Sequence, residues 1–413
     1  MILIKYLWYY FFWIIVRIGL RIYYSKVKIT GLENIPKNKP IIFGANHENA
    51  FIDALLITTS NTRFDHYLVR AGVFKNPVAR AFLNSLNLMP VYRAQDGVNP
   101  LEANQQIFRA CFEALAKNYA VMLFPEGEHN MRRHKRVLKK GITRIALGAV
   151  NFEDKIQEVS VVPVGVNYSD HMGFRSAVHI VFGKPIDVQK QEQNAENYKK
   201  LTTEITEALS QVHVSLDRTS YLGQEAIFFH DQNPHQLIFP EKINQAAAQL
   251  QNQTEVVQEI EDQRIALEKE GLSFPFRPIH TVGKIQLILL FIPALFGLIV
   301  NSPVLIPVYL FIKNKVKEPE FVASLKFGFS LFGLLIWWSF VNKWIVEFSG
   351  EWYFGALVMI GSIFGLIALN GTVRKWKRLR MSQLINSDAT LASQYEEFTE
   401  RIKQLRTDLY KNS

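Results

Sequence analysis

Apolar and polar positions along the chain fall into distinct regimes, each predicting a different kind of element. The first is an aromatic and aliphatic run from Tyr6 to Val16, with Lys5 before it and Arg17 and Arg21 after it. It is close to half of the roughly 20 apolar residues that cross a bilayer as a helix. No small-residue cleavage site follows, because Tyr23, Tyr24 and Lys26 continue the pattern. Residues 1–26 are therefore expected to form an uncleaved helix in the membrane interface, anchored by Trp, Tyr and Arg; the alternative is a helix buried in a soluble core.

From Val27 to Asp217 the period changes. Short apolar runs at Ile41–Ala45, Ala120–Phe124, Ser160–Val166 and Val178–Phe182 read as buried strands, and longer helical patterns at Leu101–Lys117 and Leu138–Asn151 lie between them. This alternation predicts an α/β domain over residues 27–217, a sheet covered by helices. The sheet is expected to be mixed, because only a short loop separates the last two strands.

Residues 218–283 read as an amphipathic helical linker, with Ile243, Ala247, Leu250, Val257, Ile260 and Leu267 set among Gln and Glu. Residues 373–413 hold a basic segment and a tail helix whose Leu391, Tyr395, Phe398, Ile402, Leu405 and Leu409 form a heptad seam. The two apolar faces are expected to pack on one another or to pair two copies of the chain as a homodimer.

Between them, residues 284–372 form a hydrophobic membrane region. Residues 324–346 and 352–369 read as spans, whereas residues 285–312 are interrupted by Pro293, Asn301, Ser302, Pro303 and Pro307. Three simple spans would put the basic clusters Lys313–Lys317 and Arg374–Arg380 on the face opposite the α/β domain, against the positive-inside rule. A bent hairpin over 285–312, turning at Asn301, Ser302 and Pro303, keeps both clusters on the domain's side.

Composition narrows the partners. With 47 Lys plus Arg against 37 Asp plus Glu, the 413-residue chain carries a formal charge of +10, and 13% of it is aromatic. It is too apolar for a disordered chain and too charged to be embedded throughout. One cysteine, Cys111, excludes an intramolecular disulfide. The basic excess suits nucleic acid, anionic lipid or a phosphorylated substrate. No zinc-ligand spacing or nucleic-acid motif accompanies it, so no nucleic-acid partner is expected.

The candidate chemistry sits at strand ends. After Ile41–Ala45 comes Asn46-His47-Glu48-Asn49-Ala50-Phe51-Ile52-Asp53, a histidine followed by an aspartate able to orient its imidazole. Alone, the pair is equally a helix cap with an idle histidine. Leu88-Met89-Pro90-Val91-Tyr92-Arg93 ends in an arginine suited to a phosphate. Phe124-Pro125-Glu126-Gly127 turns at a third strand end and presents a carboxylate beside bare backbone N–H groups, followed by a basic stretch from Arg132 to Lys140. A fourth piece is Val162-Pro163-Val164-Gly165-Val166-Asn167-Tyr168.

In order and approximate spacing these four blocks resemble those of the glycerolipid acyltransferases, the family of glycerol-3-phosphate and 1-acylglycerol-3-phosphate acyltransferases. The resemblance covers Val27 to Asp187. It implies that His47 is a general base oriented by Asp53, and that Arg93, Phe124, Pro125, Glu126 and Gly127 bind the acceptor. Pro163 and its strand would belong to the acyl-donor wall. The co-substrate would be a thioester of coenzyme A or acyl carrier protein; no cofactor or metal is implied. The partners implied are membrane lipid, the donor and acyl carrier protein, at the cytoplasmic face of a bacterial inner membrane. Five residues separate His47 from Asp53 where four are commonest, resembling the branch with fungal glycerol-3-phosphate acyltransferases. That spacing leaves Glu48 as an alternative partner for His47. Glu128 and His129 stand where a small residue and an arginine are usual, so Arg132, Arg133 and Lys140 become candidates for the phosphate contact. An acceptor such as another lysolipid or an aminolipid, and a non-catalytic lipid-binding scaffold, are the competing readings.

Overall fold

The computed structural model describes residues 2–92, 97, 99–153, 155–274 and 284–411. Arg93 lies outside them.

Helix α1 (Ile2–Tyr23) leads into β1 (Lys26–Thr30) and β2 (Ile41–Ala45), then α2 (Phe51–Ser60), β3 (Asp65–Arg70), α3 (Pro77–Ser85) and β4 (Leu88–Val91). The short α4 (Pro100–Ala103) and α5 (Gln105–Ala116) precede β5 (Ala120–Leu123), and α6 (Gly141–Val150) precedes β6 (Glu158–Tyr168), β7 (Ala177–Phe182) and β8 (Ile186–Gln189). The strands make one sheet in the order β1-β7-β6-β2-β5-β3-β4, with β8 beside the first half of β6. β6 runs antiparallel to β7 and β8, while β2 is parallel to both β5 and β6, so the sheet is mixed as expected.

Strand alternation divides the interior. Ile41, Phe43 and Ala45 of β2, Met122 of β5, and Val162, Val164, Val166 and Tyr168 of β6 face a core shared with α1 and α2. Ile42, Val121, Val159 and Val161 face the opposite way, against α5, α6 and α7 (Ala195–Val212). Both faces of the central strands are covered, which is why these runs are continuously apolar.

α1 is part of that first core. Tyr9, Val16, Leu20 and Tyr23 are buried on the sheet's helical layer, while Ile4, Leu7, Trp8, Phe11, Ile14 and Ile18 form an exposed apolar stripe. One face of α1 is thus packed in the core and the other is exposed and apolar.

A third core joins α8 (Tyr221–Phe229), α9 (Pro240–Gln249), α10 (Thr254–Lys269) and the tail helix. The single amphipathic pattern over 243–267 is two helices, separated by a tight turn at Leu250–Asn252. Leu391, Tyr395, Phe398, Ile402 and Leu409 of the seam are buried in this core, so the seam is filled by the chain's own helices.

Among the described residues, three helices are long and apolar enough to cross a membrane: α11 (Lys284–Lys315, apolar from Leu289), α12 (Glu320–Ser349) and α13 (Trp352–Ser387), the last followed by α14 (Ala389–Lys411). The bent hairpin expected over 285–312 does not form; α11 runs unbroken through Pro293, Pro303 and Pro307. Pro303 deprives the Ile299 carbonyl of its helical donor, and the Ser302 hydroxyl supplies one at 2.9 Å. Asn301 folds back in the same way, donating to the Gly297 carbonyl at 2.8 Å. Of the three residues read as a turn, Ser302 thus mends the helix that Pro303 would break. Phe311 against Phe329 and Val304 against Gly333 make α11 and α12 an antiparallel hairpin of whole helices. Gly297 and Gly365 cross so closely that a Cβ on either would meet the other's backbone within 2.6 Å, the small-residue packing of membrane helices.

Candidate active site

β2, β5 and β6 run side by side in the same direction, so the loops at their carboxyl ends gather in one place, where open α/β sheets bind ligands. The loop after β2 carries His47, that after β5 carries Glu126, and β6 ends at Tyr168.

His47 Nδ1 lies 2.9 Å from Asp53 Oδ2. Asp53 stands in the first turn of α2 and is fully buried. Its Oδ2 also accepts from the backbone N–H of Glu48 at 3.0 Å and of Asn49 at 2.8 Å. Oδ1 accepts from the Tyr168 hydroxyl. The five-residue spacing therefore fits the pair; the extra residue is absorbed in a loop that wraps the carboxylate. Ala50 closes that loop with φ at 46°, a left-handed conformation uncommon for a residue with a side chain.

The imidazole stacks on Phe124, centroids 3.9 Å apart, and meets His129 edge-on at 5.5 Å. With Nδ1 engaged, Nε2 is the nitrogen left for chemistry. Burial lowers the His47 pKa below its ordinary value, while Asp53 pulls the other way. The net direction favours the neutral ring near pH 7, the form that takes up a proton.

The Glu126 carboxylate, expected to be presented to the cleft, is buried against the loop that carries His47. Its Oε2 accepts from the His47 backbone N–H at 3.1 Å and pairs with Arg136 Nη1 at 2.6 Å. Burial pushes its carboxyl up toward about 8, opposed by Arg136. Arg136 Nη2 donates to the carbonyls of His47 at 3.1 Å and Asn130 at 2.7 Å. One arginine thus ties the β5 loop to the histidine loop. Gly127 turns the chain with φ at 81°, its N–H donating to the Phe124 carbonyl, and Pro125 accepts from Lys139 N–H. Pro163 lies inside the sheet, buried and in register with Gly44, behind the site.

The alternatives at His47 resolve. Glu48 turns away from it and pairs with His171 Nε2 at 2.7 Å, also accepting from Asn46 Nδ2. Burial favours the uncharged form of each, raising Glu48 and lowering His171. Arg133 is no free phosphate ligand: it is buried, donates to the Tyr168 carbonyl at 2.9 Å and lies over the Phe229 ring. Arg132 and Lys140 remain exposed.

Sequence reasoning missed the parts played by Arg136, Tyr168, His171 and Ser324. Arg136 sat within the basic run and Tyr168 within the fourth block, but nothing marked either as a clamp. The Ser324 hydroxyl of α12 lies 3.0 Å from Ile52 N, a contact across 272 positions that no local pattern encodes. The start of α12 and the turn before it meet the site elsewhere too, through His129 with Glu318 at 3.3 Å and with the Phe321 ring.

A buried His–Asp pair thus sits at the carboxyl edge of the sheet, beside helices long and apolar enough to cross a membrane. Residues 26–167 match the family model described as Acyltransferase. Over 117 residues the chain is 32% identical to Glycerol-3-phosphate O-acyltransferase 1 of Saccharomyces cerevisiae, and over 115 residues 33% identical to Glycerol-3-phosphate O-acyltransferase 2 of the same yeast. Each match covers 26% of this chain and 15% of the yeast protein, so it reaches one part of much longer relatives. Residues 26–167 are therefore similar to an acyltransferase domain, and part of that segment to glycerol-3-phosphate O-acyltransferases. Among solved structures, the 1-acyl-sn-glycerophosphate (LPA) acyltransferase PlsC of Thermotoga maritima matches with 22% identity and a TM-score of 0.35, over 46% of this chain and 75% of that one.

Proposed function

We propose that the protein transfers a fatty acyl chain from a thioester to a hydroxyl of glycerol 3-phosphate or lysophosphatidic acid, at the cytoplasmic face of a bacterial inner membrane, as a step of phospholipid biosynthesis. The observation that carries this reading is the His47–Asp53 pair, with Nδ1 fixed at 2.9 Å and Nε2 free of it. Nε2 takes the proton of the acceptor hydroxyl as its oxygen attacks the thioester carbonyl. The tetrahedral intermediate collapses with loss of the thiolate, which recovers that proton from the imidazolium. The products are an ester and a free thiol, with no acyl-enzyme. Asp53 stabilises the transient imidazolium and keeps Nδ1 protonated. Arg93, Arg132 and Lys140 are the cations proposed to meet the acceptor phosphate, and the exposed stripe of α1 is proposed to hold the domain at the surface where lysophosphatidic acid and the acyl ester product partition.

The test uses purified full-length protein with palmitoyl thioesters of coenzyme A and of acyl carrier protein, against glycerol 3-phosphate and lysophosphatidic acid. Free thiol is read colorimetrically and ester by mass spectrometry. His47→Ala is expected to lose activity by about a hundredfold or more while keeping its melting temperature. Undiminished turnover in that variant overturns the mechanism.

A further inference from the structure

We propose that Ser324, in the membrane helix α12, is a positioning residue for acyl transfer: its hydroxyl caps α2 from another part of the chain and so holds the His47–Asp53 pair in register. The inference rests on the acyl-transfer reading above for its kinetic consequence, though not for its structural one.

A helix leaves its first backbone N–H groups unsatisfied, and the residue before the helix ordinarily accepts from one through a side-chain oxygen. α2 cannot do this for itself. Ala50 holds the capping position, offers only a methyl group, and makes no side-chain cap bond. The vacant role falls to Ser324. Its Oγ accepts from Ile52 N–H at 3.0 Å and donates to the Asn49 carbonyl at 2.7 Å. Ser324 is fully buried, so water does not compete for either bond.

The way this hydroxyl is used sets it apart on its own helix. A serine inside a helix ordinarily bonds back to a carbonyl one turn earlier. Ser339 and Ser349 of α12 do so, donating to Leu335 and Ile345 at 2.8 Å. Ser324 instead points its hydroxyl across to α2. The surrounding face is shaped for that approach: Ala323 is fully buried, and Gly328 leaves room for the Phe51 ring, which would stand 3.2 Å from a Cβ there.

The capped segment is the one that carries the chemistry. Asn49 is held at its N–H by Asp53 and at its carbonyl by Ser324, and Ile52 is the residue just before Asp53. Without the cap, the strained turn at Ala50 and the first turn of α2 lose their outer support, and Asp53 loses the fixed backbone from which it reaches Nδ1. The dyad is therefore completed by a residue of the membrane region, not by the α/β domain alone.

The experiment compares wild type, Ser324→Ala, Ser324→Thr and Ser339→Ala as full-length proteins in vesicles of phosphatidylglycerol and phosphatidylethanolamine. Ser324→Ala is expected to speed hydrogen exchange in peptides covering residues 46–60 while sheet peptides stay protected. Its kcat should fall by about tenfold, with KM for acceptor and thioester within about twofold. Ser324→Thr, which keeps the hydroxyl, should restore both readouts, and Ser339→Ala should match wild type. Unchanged exchange and kcat in Ser324→Ala overturn the proposal. So does loss of protection spread over the whole sheet with kcat and KM altered together, since that marks a merely structural residue. If wild type itself transfers no acyl group, the acyl-transfer reading fails, and the exchange data alone decide whether Ser324 caps α2.

Discussion

Asp53 shows how much one buried carboxylate can organise. It accepts four hydrogen bonds: three on Oδ2, from the ring of His47 and two backbone N–H groups, and one on Oδ1 from Tyr168. Because the Tyr168 hydroxyl stabilises the negative charge directly, Tyr168→Phe should do more than open a small gap. It strips a charge-assisted bond of about 2 kcal/mol from a buried oxygen. The carboxylate then leans more heavily on His47, favouring the imidazolium. The acid limb of kcat/KM should move to higher pH, and kcat should fall by about tenfold. A fall in rate with the limb unmoved would limit Tyr168 to packing. His129 and Arg136, the other charged or titratable groups acting on the same ring, are unchanged in this variant, so the displacement reports on Tyr168 alone.

At the scale of elements, the strands and most helices were legible because each carries its own period. Ile41–Ala45 and Ala120–Phe124 read as buried runs since both sheet faces are covered, and the heptad of the tail named the residues that are now buried in the third core. What misled was punctuation. Three prolines and an Asn-Ser-Pro triplet read as a turn in α11, but in a helix facing lipid every backbone group must find a partner inside the protein, and Ser302 provides it. This account has a measurable form. Ser302→Ala should cost roughly 1 kcal/mol of stability in micelles, where the Ile299 carbonyl is left without a donor. On a Pro303→Ala background the backbone N–H restored by that substitution takes the carbonyl, and Ser302→Ala should then cost close to nothing. Equal costs in both backgrounds would show that Ser302 does not repair the helix. The site divided along similar lines. His47, Asp53 and Phe124 sit in contiguous motifs, whereas Arg136, His171 and Ser324 act through contacts between distant segments that only the assembled sheet and membrane helices create.

For the whole molecule, the charge that first admitted nucleic acid is distributed among buried clamps and exposed clusters, and the buried part shapes how stability depends on pH. His213 and His230 are buried imidazoles outside the catalytic loops, and among the described residues no carboxylate accepts from either ring. Burial pushes His213 down to about 3 and His230 down to about 4. A histidine with a depressed folded pKa binds its proton more readily when unfolded. Its stabilising contribution is therefore complete above its ordinary value near 6.5, and is lost as pH falls from there toward 4 and then 3. Buried carboxyls run the other way. Asp65, pushed up to about 7 by burial, contributes below its ordinary value near 3.8 and loses that contribution as pH rises through 7. Stability should accordingly decline on both sides of a mildly acidic maximum. Melting curves of the full-length protein in micelles between pH 4 and pH 8 would trace that shape. The two limbs separate by substitution: His213→Gln combined with His230→Gln should make the acid limb shallower and leave the alkaline limb in place, whereas Asp65→Asn should make the alkaline limb shallower only, the remainder coming from Glu48 and Glu126, which burial also pushes up. An acid limb of unchanged steepness in the double histidine variant would mean that other groups govern acid unfolding.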